Sequence, residues 1–334
     1  RLLITYAVDG VSEGQRLPNF VIDGASRQTI VAEPNEQAVD LLVLQNGVDT
    51  DALIAELSSQ SEILHIESDF QRGPHTTPND PLFSNQWYAE NTGANYRGRN
   101  GVAGADVNLT GAWDITTQGT EVVVAVIDNG TDVDHPDLRN SLWHNPGEIA
   151  GNGIDDDNNG YIDDVNGWDF TGNDSNVRPD TTGRNHGTAV AGVIGSKTNN
   201  SNGIAGASWN VRIMTLKTDF SVSATIRAMD YARANGAHII NTSFGGSEYS
   251  QNEYKAIERM RKAGMLMVAS AGNEHWNNDF GPSYPGSYDS SNILTVAATN
   301  PSDSFTSWSQ YGQISVDIAA PGDAIYTTEA NGTS

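Results

Sequence analysis

The sequence contains no cysteine. A disulfide framework, a thiolate nucleophile and a thiolate-bound metal are therefore excluded, and a thiol protease with them. No run of ~18 apolar residues occurs either, so nothing in it reads as a membrane-spanning helix. Basic residues are scarce: 18 Lys and Arg stand against 42 Asp and Glu, a net charge of −24. Such a charge repels nucleic acid and anionic lipid, so no nucleic-acid partner and no membrane partner are expected. It favours solubility, and calcium can neutralise part of it locally. The chain opens at Arg1 without a basic-then-apolar leader. Its location must therefore be inferred from other features.

What is present fits two domains. At 334 residues and 37% hydrophobic, the chain can hold a small core and a large one. Residues 38 to 45 read as a strand, Asp49 to Gln60 as a helix and Ile63 to Phe70 as a second strand. This predicts a small α+β domain over residues 1–75. The breaker-rich stretch that follows, centred on Gly73-Pro74 and Pro78-Asn79-Asp80-Pro81, predicts an exposed linker over 76–85. Beyond it, six short apolar runs read as strands: Val122 to Ile127, Val211 to Leu216, Ile239 to Phe244, Met265 to Ala269, Ile293 to Ala298 and Ile314 to Ala319. Several are apolar on both faces, as strands covered by helices on each side must be. Ala224 to Asn235 and Gln251 to Ala263 have the spacing of intervening helices. The expectation for 86–334 is a doubly wound α/β domain with a mainly parallel sheet, whose chemistry lies at the strands' carboxyl ends.

Three features stand out, two of them at such ends. Asp128 closes the buried run Val122 to Ile127 and precedes Asn129-Gly130. A charge there is costly unless paired, although a carboxylate can also simply cap a turn. His186, in Asn185-His186-Gly187-Thr188, opens a helix of small residues. It is a poor core filler but a suitable base if a carboxylate fixes its tautomer. Asn273, in Ser270-Ala271-Gly272-Asn273-Glu274, is an ordinary turn residue or an amide donor to a developing oxyanion. Only the combination is informative.

Six segments resemble the subtilisin-like serine protease family, in the family's order. They are Val126-Ile127-Asp128-Asn129-Gly130, His135-Pro136-Asp137-Leu138, Asn185-His186-Gly187-Thr188, Asn241-Thr242-Ser243-Phe244-Gly245-Gly246, Ala271-Gly272-Asn273-Glu274 and Ala319-Ala320-Pro321-Gly322. The resemblance covers most of residues 78 to 322 and implies an exported endopeptidase acting on proteins or peptides. It implies Asp128 as orienter of His186, His186 as general base toward a serine, and Asn273 in the oxyanion hole. It further implies Ser243, Phe244 and Gly245 as the edge that pairs with substrate backbone, and Ser270, Ala271 and Gly272 as a wall of the primary specificity pocket.

Asn129 stands where the family usually has Ser or Thr, and Ala189 where a second His is common. The chain closes on Gly332-Thr333-Ser334, which resembles the nucleophile tripeptide, yet Ser334 follows Gly322 by only 12 positions. That is fewer than the family normally places there. The expectation is a chain truncated at its C-terminus with its nucleophile beyond Ser334, and Ser334 itself is the alternative.

A calcium site is expected in the acidic loop that begins at Asp155. Asp155, Asp157 and Asn159 occupy the first ligand positions of an EF-hand-type loop, Gly160 the turn, Tyr161 the carbonyl position and Asp163 the ninth. The twelfth position is Asn166 rather than Glu, leaving Asp164 as the substitute. Resemblance alone suggests a second calcium, between Asp137 and oxygens of Asn200, Asn202 and Ile204. It also makes the N-terminal domain a propeptide that binds its own enzyme, with Ile63 to Gln71 leading a tail into the cleft and cleavage between Gln71 and Pro78. Two other readings remain: an inactive homologue binding peptide or protein through the same cleft, and a calcium-binding adhesive module.

Overall fold

The computed structural model describes residues 1–7, 25–32, 37–45, 47–61, 63–69, 76–117, 122–180 and 185–330. The chain divides into two compact units, Arg1–Pro74 and His75–Ser334.

The first unit is a four-stranded antiparallel sheet with one helix. Strands β1 (Leu2–Ala7), β2 (Ala25–Ala32), β3 (Gln37–Leu44) and β4 (Ile63–Ser68) lie in the order β2-β3-β1-β4. Leu2, Ile4 and Tyr6 alternate along β1, so a single face of that strand enters the core with Ala38 and Leu42. Helix α1 (Thr50–Ser58) adds Leu53 and Leu57 to that core. It starts one residue later than the pattern predicts, because Asp49 acts as N-cap and accepts from the Ala52 N–H at 3.1 Å. Buried Asp40 accepts from Tyr6 Oη at 3.0 Å and is paired with Arg27.

In the second unit a two-strand ribbon, β5 (Asn95–Tyr96) and β6 (Arg99–Asn100), and helix α2 (Leu109–Ile115) precede the main sheet. The sheet comprises β7 (Val123–Asp128), β8 (Gly167–Asp169), β9 (Arg212–Lys217), β10 (Ile239–Thr242), β11 (Leu266–Ser270), β12 (Ile293–Thr299) and β13 (Ile318–Pro321). Their order is β13-β12-β11-β10-β7-β9-β8, every pairing parallel. Along β7, Val124 and Val126 enter one apolar cluster with Ala191 of helix α3 (His186–Gly195). Ala125 and Ile127 enter the other, with residues of α4 (Val222–Ala234) and α5 (Gln251–Lys262). Side chains alternate across a strand, so helices cover both faces, and the run Val122 to Ile127 is apolar throughout for that reason.

Two strands of this sheet depart from the sequence pattern by more than one residue. The last strand begins at Ile318 rather than Ile314, because Asp279 accepts from the Gln313, Ile314 and Ser315 N–H groups and removes those donors from any ladder. Strand β10 ends at Thr242 rather than Phe244, after which Gly246 exchanges hydrogen bonds with Tyr284 at 2.9 and 2.7 Å. Among the described residues no helix is long and apolar enough to cross a membrane.

Candidate active site

Strand β7 lies between β9 and β10, so the chain crosses from one side of β7 to the other as it passes from β9 to β10. Such a switch point opens a crevice beyond the strands' carboxyl ends. Asp128 is the last residue of β7 and is 1% exposed. Ile127 is level with Thr242, which is level with Ala269. Asp128, Ser243 and Ser270 therefore leave three adjacent strands at one level, at successive separations of about 4.8 Å.

His186 is the first residue of α3. Its Nδ1 lies 2.9 Å and 2.8 Å from the two Asp128 carboxylate oxygens, and its side chain is 46% exposed. A hydrogen on Nδ1 facing a carboxylate defines the tautomer in which Nε2 carries the lone pair. The pair brings together a strand end and a helix start separated by 58 positions. Asn129 accepts from the Gly187 N–H at 3.0 Å, and Thr188 accepts from the Asp132 N–H at 3.0 Å. Gly187 is required here, because a Cβ would strike the Gly130 carbonyl oxygen and come within 3.0 Å of Asp128 Cβ. Gly130 itself has φ +106° and packs against Val177 to Pro179.

Asn273 is exposed just past β11. Its position is set from behind. Gly272 has φ +113° and packs directly on Gln310, whose N–H donates to the Gly272 carbonyl at 2.9 Å. Gln310 Nε2 donates to Asn278 Oδ1 at 2.7 Å, and Asn278 Nδ2 donates to the Ala271 carbonyl at 2.9 Å. Buried Asn278 and Gln310 thus hold the Ala271-Gly272 turn, a role with no local sequence signal. Ser243, Phe244 and Gly245 form an irregular segment past β10. Ser243 Oγ accepts from Asn241 Nδ2 at 2.9 Å, and the rings of Phe244 and Phe220 lie 5.0 Å apart. Asn331 to Ser334 lie outside the described residues.

The acidic loop is arranged differently from an EF-hand. Glu148, Asp157 and Asp164 bring carboxylate oxygens within 4.8 Å of one another. Asn145 Nδ2 contacts Asp157 and Asp164 at 3.0 and 2.7 Å, and Asn159 Nδ2 contacts them at 3.1 and 2.9 Å. Asp155 stands outside the cluster, and both its oxygens accept backbone N–H groups, from Asn159 and Gly160, as the Glu148 oxygens do from Asp156, Asp157 and Asp163. Asp163 likewise accepts from Gly151, Asn152 and Gly153. The Tyr161 ring packs with Trp168, Phe170 and Tyr231, while Tyr231 Oη donates to Asp164 at 2.5 Å. Three carboxylates with two reorientable amides make an all-oxygen donor set that fits calcium. The sequence reading missed Glu148, which precedes the loop.

At the other expected calcium position, Asp137 accepts from Asn200 Nδ2 and the Ile204 N–H, each at 2.9 Å. Asn202 donates its N–H to Asn200 Oδ1 at 2.7 Å. Asp80, unanticipated, accepts from the Asn199 and Asn200 N–H groups at 2.7 and 3.2 Å. Burial pushes the Asp137 carboxyl above its ordinary value, with nearby Asp80 adding to the rise, and burial raises Asp80 too. Both carboxyls face the same loop, whose N–H groups they accept.

Residues 119–334 match the family model described as the Subtilase family. Thermitase of Thermoactinomyces vulgaris is 34% identical over 262 residues, covering 77% of this chain and 77% of thermitase. Halolysin of Haloferax mediterranei is 31% identical, covering 84% of this chain but 49% of halolysin. A thermophilic serine proteinase of Bacillus sp. strain AK1 is 30% identical, covering 86% of this chain and 61% of that proteinase. Among solved structures, a protease of Pseudoalteromonas arctica superposes with a TM-score of 0.57 at 28% identity, over 78% of this chain and 79% of that one. The match over both family model and thermitase places the chain in the subtilase family of serine proteases.

Proposed function

We propose that the protein is a secreted endopeptidase that cleaves peptide bonds in proteins and peptides through an acyl-enzyme. The observation that carries this reading is the hydrogen bond of His186 Nδ1 to buried Asp128 at 2.8–2.9 Å. In the proposed reaction His186 Nε2 takes the hydroxyl proton of a serine as its Oγ attacks the substrate carbonyl carbon. The same imidazolium then gives that proton to the leaving amine. Asp128 stabilises the imidazolium without taking the proton. Water, deprotonated by His186, releases the acyl group and regenerates the serine. Asn273 donates to the oxyanion, Ser243 to Gly245 line the extended substrate, and Ser270 to Gly272 wall its primary side-chain pocket. The serine is carried after Thr328, with Ser334 one candidate.

Residues 1–74 are proposed to act as the propeptide. Calcium is proposed to bind Glu148, Asp157 and Asp164 with the side-chain oxygens of Asn145 and Asn159. A second ion is assigned to Asp137 and Asp80 beside the Asn199 to Ile204 loop. Bound calcium supplies positive charge that stabilises these loops and takes no part in proton transfer. Reactivity toward a fluorophosphonate tests the reading. His186→Ala is expected to abolish labelling, and Asn273→Ala to slow turnover by about 10²–10³. Wild-type labelling in His186→Ala would refute the assigned base.

A further inference from the structure

The chain leaving β13 passes directly beside the helix that carries His186. Thr328 is completely buried, and its hydroxyl donates to the Thr188 carbonyl at 2.8 Å. The Thr327 hydroxyl donates to the Ala189 carbonyl at 2.6 Å. Both carbonyls belong to the first turn of α3, two and three positions after His186. A carbonyl oxygen has two lone pairs, so each can accept a hydroxyl in addition to its intrahelical bond. The approach depends on Gly192, where a Cβ would strike the Thr328 hydroxyl oxygen and lie 2.7 Å from that of Thr327.

The preceding residues are fixed from the opposite side. Trp87 Nε1 donates to the Asp323 carbonyl at 3.0 Å, and Tyr88 Oη donates to the Tyr326 carbonyl at 3.2 Å. Arg99 pairs with Asp323, and the Arg97 guanidinium lies over the Tyr326 ring at 5.6 Å. Residues 323–328 therefore form a strap between the segment 87–99 and the first turn of α3.

Stability alone gives little reason for hydroxyls here. A buried hydroxyl that makes its hydrogen bond gains little net over leaving that bond to water, and valine has nearly the same shape. What two hydroxyls add is direction, since each fixes the strap against one particular carbonyl and excludes a shifted register.

We propose that Thr327 and Thr328 are positioning residues. They set the register of the strap against the first turn of α3, and so the placement of His186 at the head of that turn. This rests on the endopeptidase reading above. Misplacing reacting groups by about 1 Å costs on the order of 10²-fold in rate, so the hydroxyls act on the chemical step rather than on substrate affinity.

The test measures fluorophosphonate labelling rate, kcat and KM for peptide hydrolysis, and Tm, in the complete protein. Variants are Thr327→Val, Thr328→Val and Thr328→Ser. The valine variants are expected to lower kcat and labelling by about 10-fold or more at unchanged KM, with Thr328→Ser restoring most of the loss. If Thr328→Val does not fold, Thr327→Val carries the test from its half-buried position. Unchanged kcat in folded valine variants overturns the proposal. So does a change confined to KM, or a loss that follows Tm and is not recovered by serine. A wild-type protein that neither labels nor hydrolyses peptide sinks the endopeptidase reading, and the positioning role with it. A reactive wild type with equally reactive variants sinks the positioning role alone.

Discussion

The Asn129 side chain accepts the Gly187 N–H at 3.0 Å, joining the end of the Asp128 strand to the first turn of the His186 helix. The first N–H groups of a helix have no partner within it. Asn129 satisfies one of them while holding the two functional side chains at a fixed separation. Its own N–H donates to Asp128 Oδ1 at 2.8 Å, so a single residue braces both partners.

Asn129→Ala is expected to destabilise the protein by about 1 kcal/mol and to slow fluorophosphonate labelling. Gly187→Ala is expected to be worse, costing about 1–3 kcal/mol, because its Cβ meets the backbone oxygen of Gly130. Thermal unfolding and labelling rates check both. A Gly187→Ala protein as stable and reactive as wild type would show that the strand end and helix start are not locked together.

Glu253 predicts a pH dependence of stability. Burial raises its carboxyl above the ordinary 4.5, against the opposing effect of its hydrogen bond with Tyr288. Tyr288 Oη has one hydrogen and two acceptors, the Ser250 carbonyl at 3.1 Å and Glu253 Oε2 at 2.7 Å. A protonated Glu253 resolves the conflict by donating to Tyr288 while Tyr288 donates to Ser250. A raised folded-state value means that the protonated carboxyl is favoured by folding. Its contribution is complete below pH 4.5 and is lost as pH rises through the raised value. Glu253→Gln keeps the neutral hydrogen-bonding pattern, so its Tm advantage over wild type is expected to grow from pH 4.5 toward neutrality. A constant difference across that range would contradict a raised Glu253.

Calcium is expected to raise the unfolding midpoint and chelation to lower it. A ligand at 100 times its Kd stabilises by about 2.7 kcal/mol. Glu148→Gln is expected to weaken one calcium-dependent increment and Asp137→Asn another. Isothermal titration of the two variants separates the sites, and an unchanged midpoint on chelation of the wild type would count against both.

Processing is expected between Gln71 and Pro78. N-terminal sequencing of the mature enzyme reads the cleavage position directly. A start well outside that window would remove the propeptide assignment for residues 1–74.

Much of the larger sheet could be read from the sequence, because strands covered on both faces tend to be apolar at consecutive positions, as Val122 to Ile127 are. Strand β8, only three residues long, carries no such pattern. The two N-terminal strands of the small unit were also missed. Helix starts moved by a residue or two where a cap decided them, as Ser221 does by accepting from the Ala224 N–H at 3.4 Å.

For the site, the sequence by itself determined the residue types: Asp128 at a strand end, His186 at a helix start, and Asn273 past another strand. Those follow from local backbone pattern and motif, which lie along the chain. Only the tertiary structure decided the partners. Glu148 joins Asp157 and Asp164 while Asp155 and Asp163 stay outside that cluster, Asp80 reaches the Asn199 loop across 119 positions, and Gln310 supports Gly272. Thr328 meets the His186 helix across 140 positions. Which carboxylate is drawn to an amide, and which faces another carboxylate, depends on how distant segments pack, and no local spacing encodes that choice.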